Sequence, residues 1–161
     1  MKRIILILFT VIVFIALNAI IIQKETVLKN GKTVLLQLAP VDPRSLIQGD
    51  YMILAYRIAP EAEESAFKDH SSEGKLVIKL DKNNVGHFVR IYKNETLRED
   101  EWLLHFRKRG RLRIGAESFF FQEGHASYYS NARYGELKAA QDGKCVLVGL
   151  RDDRFRKLKP H

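Results

Sequence analysis

The chain has 161 residues, a formal net charge of +8 and one cysteine. That length fits one domain plus a short extra segment. A single cysteine excludes an internal disulfide and a zinc site built on cysteines. Hydrophobic residues crowd the first 22 positions. The remainder has the mixed charge of a soluble domain, long enough for a core without metals or disulfides.

Residues 4–22 form an uncharged run broken only by Thr10 and Asn18. As a helix it spans about 28 Å, close to the hydrocarbon thickness of a bilayer. It has no polar face for a soluble surface. It exceeds the apolar core of a cleaved leader, and Ala16 and Ala19 enclose two residues rather than the one of a small-x-small cleavage site. Residues 1–25 are therefore read as a retained signal anchor. Lys2 and Arg3 favour a cytoplasmic amino end, with Lys24, Lys29 and Lys32 weakening the contrast. The expected location is a bacterial inner membrane, with the remainder periplasmic or otherwise extracytoplasmic.

The chain then reads as one β-rich domain over residues 26–150. Residues 26–32 look like a polar connection with an Asn30-Gly31 turn, and residues 33–38 like a strand ended by Pro40 and Pro43. Over residues 50–58 one strand is expected, with Met52, Leu54, Tyr56 and Ile58 facing the core. Residues 61–69 suit a helical turn or two. Strands come next over 75–80 and 85–92, joined by a turn at 81–84. A charged loop at 94–101 leads to strands over 102–107, 111–114 and 118–121, with Arg109-Gly110 turning the chain. Residues 124–133 suit a short helix or structured loop. Strands over 136–140 and 144–150 flank Asp142-Gly143, a hairpin signal. Residues 151–161 read as a basic tail that frays. Seven or eight short strands separated by turns predict a mostly β fold, an antiparallel sandwich or partly closed barrel. Cys145, beside Val146-Leu147-Val148, reads as a small buried hydrophobe.

Gly49-Asp50-Tyr51-Met52-Ile53-Leu54-Ala55-Tyr56 matches G-D-Y-x-x-L-x-Y at every fixed position: Gly49, Asp50, Tyr51, Leu54 and Tyr56. With the lead-in Ala39-Pro40-Val41-Asp42-Pro43-Arg44-Ser45-Leu46, it resembles the bacterial GDYXXLXY family. Glu123-Gly124 and Ala132-Arg133-Tyr134-Gly135-Glu136-Leu137 resemble that family's second motif region. The resemblance implies an amino-terminal membrane segment, a β-rich exported domain and a multi-pass membrane partner. It implies no reaction, because the family is functionally uncharacterised.

Two readings of the motif stand beside each other. It locks a β corner, or Arg44, Asp50 and Tyr51 line a cleft with His125, Arg133 and Glu136 from the second region. The density of polar and aromatic residues around Gly124 is typical of a ligand-facing loop, and equally suits a surface loop whose tyrosines cover the sheet. A different alternative is a membrane-anchored hydrolase. Ser45, a few residues before Gly49-Asp50, faintly resembles the nucleophile of exported signal peptidases, with His125 as a second candidate. However, Ser45 is followed by Leu46 and Ile47 rather than Met and Pro, and the base lysine has no clear counterpart. The histidines lack metal-ligand spacing and no cofactor motif is present. The cluster Arg107-Lys108-Arg109-Gly110-Arg111, with Arg113, reads either as a solvated hairpin tip that blocks edge pairing or as a contact for an anionic lipid surface or acidic envelope polymer. An exported location argues against nucleic acid. The expected role is a non-enzymatic, membrane-tethered binding or accessory module.

Overall fold

The computed structural model describes residues 2–39, the backbone of 47–48, and residues 51–160. The elements in chain order are α1 (Lys2–Asn30), β1 (Lys32–Gln37), β2 (Ile47–Gln48), β3 (Tyr51–Ile53), α2 (Ile58–Lys68), β4 (Glu73–Leu80), β5 (Gly86–Ile91), β6 (Glu101–Arg109), β7 (Arg111–Arg113), β8 (Ser118–Phe120), a 3-10 turn (Ala126–Tyr129), β9 (Tyr134–Ala139) and β10 (Cys145–Arg151). The fold is mostly β and antiparallel, with one long apolar helix at the amino end, as the sequence predicts.

The helix α1 is long and apolar enough to cross a membrane. The polar groups in it bond inward: the Thr10 and Thr26 hydroxyls donate to the carbonyls of Leu6 and Ile22, and the Asn18 amide to that of Phe14. Residues 26–30, expected as part of a short polar connection, are helical instead. Glu25 and Lys29 pair one turn apart at 3.4 Å, and Val27 is buried against the sheets. Burial of Val27 gives these residues a reason to continue the helix that their polarity alone does not reveal. Gly31 then joins helix to strand with no linker. A Cβ there would collide with the Val27 carbonyl oxygen and lie 3.1 Å from that of Ala139.

One sheet has the order β1-β9-β10, another β5-β4-β6-β7, and a third β2-β3-β8. The first two are stitched where Leu35 bridges Val85 and the Leu35 amide donates to the Asn84 carbonyl. On the other side the His105 amide donates to the Gly143 carbonyl at the tip of the β9–β10 hairpin, where Gly143 has φ +95°. A curved sheet is thus nearly closed on itself, which is the partly closed barrel. The smaller sheet is tied to the end of β1 just past β3, where the Ala39 amide donates to the Ala55 carbonyl and the Arg57 amide to the Gln37 carbonyl. The core gathers Val34, Leu36, Leu76, Ile78, Leu104, Leu137 and Leu150, all fully enclosed. Val77, between Leu76 and Ile78, is enclosed as well, so β4 is covered on both faces. Cys145 is buried, and burial pushes its thiol up to about 11 against the opposing Lys24 charge.

The expected strand over residues 50–58 divides. Met52, Leu54, Tyr56 and Ile58 are buried and Ile53, Ala55 and Arg57 exposed, as alternation predicts. Only Tyr51–Ile53 is strand, and α2 begins at Ile58. Ile58, Ala62 and Ala66 fall four apart on one buried stripe, which draws the chain into three turns of helix. Pro60 sits in the first turn, where its missing N–H has no helical acceptor. The helix ends in a Schellman motif: the Ser71 amide donates to the Ala66 carbonyl and the His70 amide to that of Phe67. His70 occupies the left-handed position, φ 52°, that usually takes glycine.

The carboxyl end also departs from expectation. Instead of fraying, Arg151 bridges Lys157 and the Leu158 amide donates to the Leu150 carbonyl. Asp152 is buried at the turn, accepting from the amides of Arg154 and Arg156 and from the Arg156 guanidinium. A basic composition concealed a single aspartate able to close the loop.

His70→Gly should stabilise the chain by about 1 kcal/mol, because glycine holds positive φ without the Cβ penalty. Urea unfolding in detergent, followed by tryptophan fluorescence of Trp102, measures this.

Candidate functional site

The two motif regions meet at Tyr56. Its side chain is 3% exposed, and its hydroxyl donates to the Ala116 carbonyl. Burial, aided by the charges of Glu117 and Cys145, pushes the phenol well above its ordinary value, so it stays protonated. Gly135, from the second region, lies flat on this ring: a Cβ would sit 3.0 Å from Cε1 and 3.1 Å from the hydroxyl. Leu38 bridges Tyr56 on the other side. Tyr56 thereby ties β1, the start of α2, the β7–β8 connection and β9 into one corner. Leu54 is buried in the same core.

Glu136, next to Gly135, is 6% exposed and engaged by the carboxyl-terminal segment. Arg151 grips it with two hydrogen bonds, Nε–Oε2 at 3.1 Å and Nη2–Oε1 at 3.0 Å, and Lys157 lies 3.7 Å away. Burial alone would raise its pKa. The Arg151 hydrogen bonds and the two positive charges outweigh that and leave it lowered. Arg151 also donates to the Phe155 carbonyl, and Tyr134 packs on the Phe155 ring at 5.0 Å. Arg133 has an exposed side chain, while its backbone accepts from the Leu38 amide and donates to the Arg151 carbonyl.

Tyr51 lies on the opposite face of its strand from Met52 and Leu54. It is paired in register with Phe120 of β8, ring centroids 5.7 Å apart. Phe120 is 73% exposed and Ile53, two residues along the same face, 49% exposed. The neighbouring Phe119 and Phe121 turn inward onto Tyr129, at 4.9 and 5.5 Å. His125 precedes the 3-10 turn, its ring edge-on to Tyr128 at 5.4 Å. Arg44, Ser45, Gly49 and Asp50 lie outside the described residues. The remaining candidates fall into two groups by their contacts: Glu136 and Arg133 with the carboxyl-terminal loop, and Tyr51 and His125 among aromatic neighbours.

Sequence reasoning passed over Phe120. The signal was available in Phe119-Phe120-Phe121: three rings in a row on a strand must send the middle one away from the other two. It also passed over an open cleft of about 410 Å³ between α2 and β5, lined by Ser65, Asp69, Arg90, Lys93 and Glu95 among others. Its charges are committed to one another. Lys93 meets Asp69 at 3.0 Å, and Arg90 meets Glu95 at 2.7 Å and Glu101 at 2.6 Å. The paired Arg90, with the Arg98 amide, holds Glu101 down to about 2.

The family model described as GDYXXLXY protein matches residues 13–150. The chain belongs to the GDYXXLXY family. No curated protein and no solved structure matches it. In this GDYXXLXY protein the motif's residues divide by role: Leu54 and Tyr56 build the core corner, and Tyr51 faces outward. The family, uncharacterised in function, and the apolar amino-terminal helix together fit a membrane-anchored module.

Tyr56→Phe should cost about 1–2 kcal/mol by leaving the Ala116 carbonyl unpaired. Gly135→Ala should cost about 1–3 kcal/mol by crowding the ring. The double variant should lose less than the sum, because removing the hydroxyl relieves one of the two close contacts; a double-mutant cycle in urea reads the coupling.

Acid should act through Glu101 and Glu136. Both have folded-state values below their ordinary 4.5. The folded state therefore binds fewer protons than the unfolded one as pH falls through this range. The stabilisation is complete above about pH 5 and disappears as pH drops toward 2. Urea midpoints measured from pH 7 down to pH 3 should fall most steeply below 4.5, and Glu101→Gln should flatten that slope.

Proposed function

We propose that the chain is a membrane-tethered accessory module that holds its β part on the extracytoplasmic surface and docks an integral membrane protein through the face formed by Tyr51, Ile53 and Phe120. The observation that carries this reading is exposed Phe120 and Ile53 on one face with the half-buried Tyr51. Large apolar side chains grouped in the open are the usual mark of an interaction surface, and aromatic residues dominate such contacts. This face lies opposite the buried Met52 and Leu54, so it is not part of the core.

The attachment of α1 supports the same reading. A helix of 29 residues, about 44 Å long, runs from the apolar span into the sheets and ends against them at Val27 and Gly31. Such a joint limits where the docking face points. Lys2 and Arg3 favour a cytoplasmic amino end. The basic hairpin β6–β7, where Lys108 lies 5.0 Å over the exposed Phe67 ring, suits a secondary contact with anionic lipid or an acidic polymer.

A photo-reactive residue placed at position 120 in intact cells should give an adduct with a multi-span membrane protein, whereas one at Val89, on β5, should not. Phe120→Ser should weaken co-purification of that protein about ten-fold or more while leaving the unfolding midpoint unchanged, because Phe120 is largely exposed. Protease added to spheroplasts should digest the carboxyl-terminal bulk. No adduct at position 120, or a protected carboxyl-terminal part, would remove this reading.

A further inference from the structure

Thr10 and Asn18 are the two polar residues of the apolar run, and they are not equivalent. The single hydroxyl proton of Thr10 is used on the Leu6 carbonyl at 2.9 Å. The Asn18 amide has two protons and a carbonyl oxygen, and one proton goes to the Phe14 carbonyl at 2.8 Å. Among the described residues the other N–H and the Oδ1 have no protein partner. Asn18 lies five residues from the middle of the run, about 7.5 Å from the bilayer centre. That is well inside a hydrocarbon layer about 15 Å deep on each side. Its side chain is too short to reach the head groups, and lipid offers no hydrogen bond.

The same residue sits on a shaped face. Val11, Phe14, Ile15, Asn18, Ala19 and Ile22 line a shallow furrow along α1. Val11 and Asn18 are seven residues apart and Phe14 falls between them, which is the a-d-a spacing of a two-helix seam. Ala19 beside Asn18 lets a neighbouring backbone come close.

We propose that α1 pairs in the bilayer with α1 of a second copy of this chain, the two Asn18 carboxamides hydrogen-bonding each other across a parallel seam. The carboxamide is self-complementary, with one donor and one acceptor left over on each copy. Every copy inserts with the same end inward, so Asn18 lies at one depth in all of them. A twofold axis along the membrane normal then brings the two groups face to face and satisfies both. Another protein's helix would need a polar group at that depth, which nothing in this chain specifies. The inference rests on α1 spanning a membrane, the premise of the proposed function.

The test uses the full-length chain in its own membranes, with Cys145→Ala removing the native thiol. Single cysteines at Val11, Phe14, Ile15 and Ile22 should oxidise to disulfide-linked dimers, and those at Phe9, Ala16 and Ile20, on the far side of the helix, should not. In reconstituted vesicles Asn18→Leu should lower the dimerisation constant about 3- to 30-fold, and Asn18→Gln should restore most of it. The unfolding midpoint of the β part should stay unchanged in both. A monomer in vesicles, cross-linking without helical periodicity, indifference to Asn18→Leu, or adducts solely with a different protein would each overturn the proposal. Carbonate washing of the same membranes separates the premises: release of the chain would refute the anchor itself, whereas retention with no periodic cross-linking would refute the pairing alone.

Discussion

The contact on which the globular part depends is the Tyr56 ring wedged against Gly135. Side chains of ordinary size at position 135 would hold β9 away from the ring, and a smaller residue at 56 would leave the corner unfilled. The Tyr56 hydroxyl reaches Ala116, which fixes the β7–β8 connection. Its backbone bridges Leu38, which fixes the end of β1. One residue thus holds pieces from four distant parts of the chain. Cores are close-packed and transmit small displacements, so the two motif regions, separated by about eighty residues, act as one structural unit. This is why a tyrosine, with its polar tip, serves there better than a phenylalanine of nearly the same volume.

The second constraint is the continuity of α1 with the sheets. Had residues 23–31 been a flexible linker, the β part could tumble over the membrane surface and its outward face would have no defined direction. Instead the last turn is pinned by Val27, and Gly31 allows the helix end to touch Ala139 of β9. The carboxyl-terminal loop adds a further tie, since Glu136 on β9 is gripped by Arg151 and Lys157. The strand β9 therefore carries the helix joint at one end and the Tyr56 and Glu136 contacts at the other.

The elements legible in the sequence were those whose burial has a short period. Alternation marked Met52, Leu54, Tyr56 and Ile58 as inward, and Asp142-Gly143 and Arg109-Gly110 as turns. What alternation could not show is where the backbone stops being a strand. Ile58, Ala62 and Ala66 carry a helical period, but they come without a break after residues that alternate by two, with Pro60 at the junction. The carboxyl-terminal loop was illegible for a different reason. Its order comes from two buried carboxylates, Asp152 and Glu136, and a charged composition gives no sign of which charges will be enclosed. Likewise the outward Phe120 went unmarked because residues 118–121 were read only as a strand, with no face assigned to its phenylalanines.

The motif's own packing explains why its letters say so little about function. Leu54 and Tyr56 are needed for the corner whatever the protein does, so their presence carries no information about ligands. Tyr51 is different. It is an odd-numbered step from the buried set, half-buried, and its ring packs on the exposed Phe120. A ring on the outward side of β3 is compatible with the proposed docking contact. If the proposed docking holds, it falls on the outward face of β3 and β8 rather than on the corner behind it.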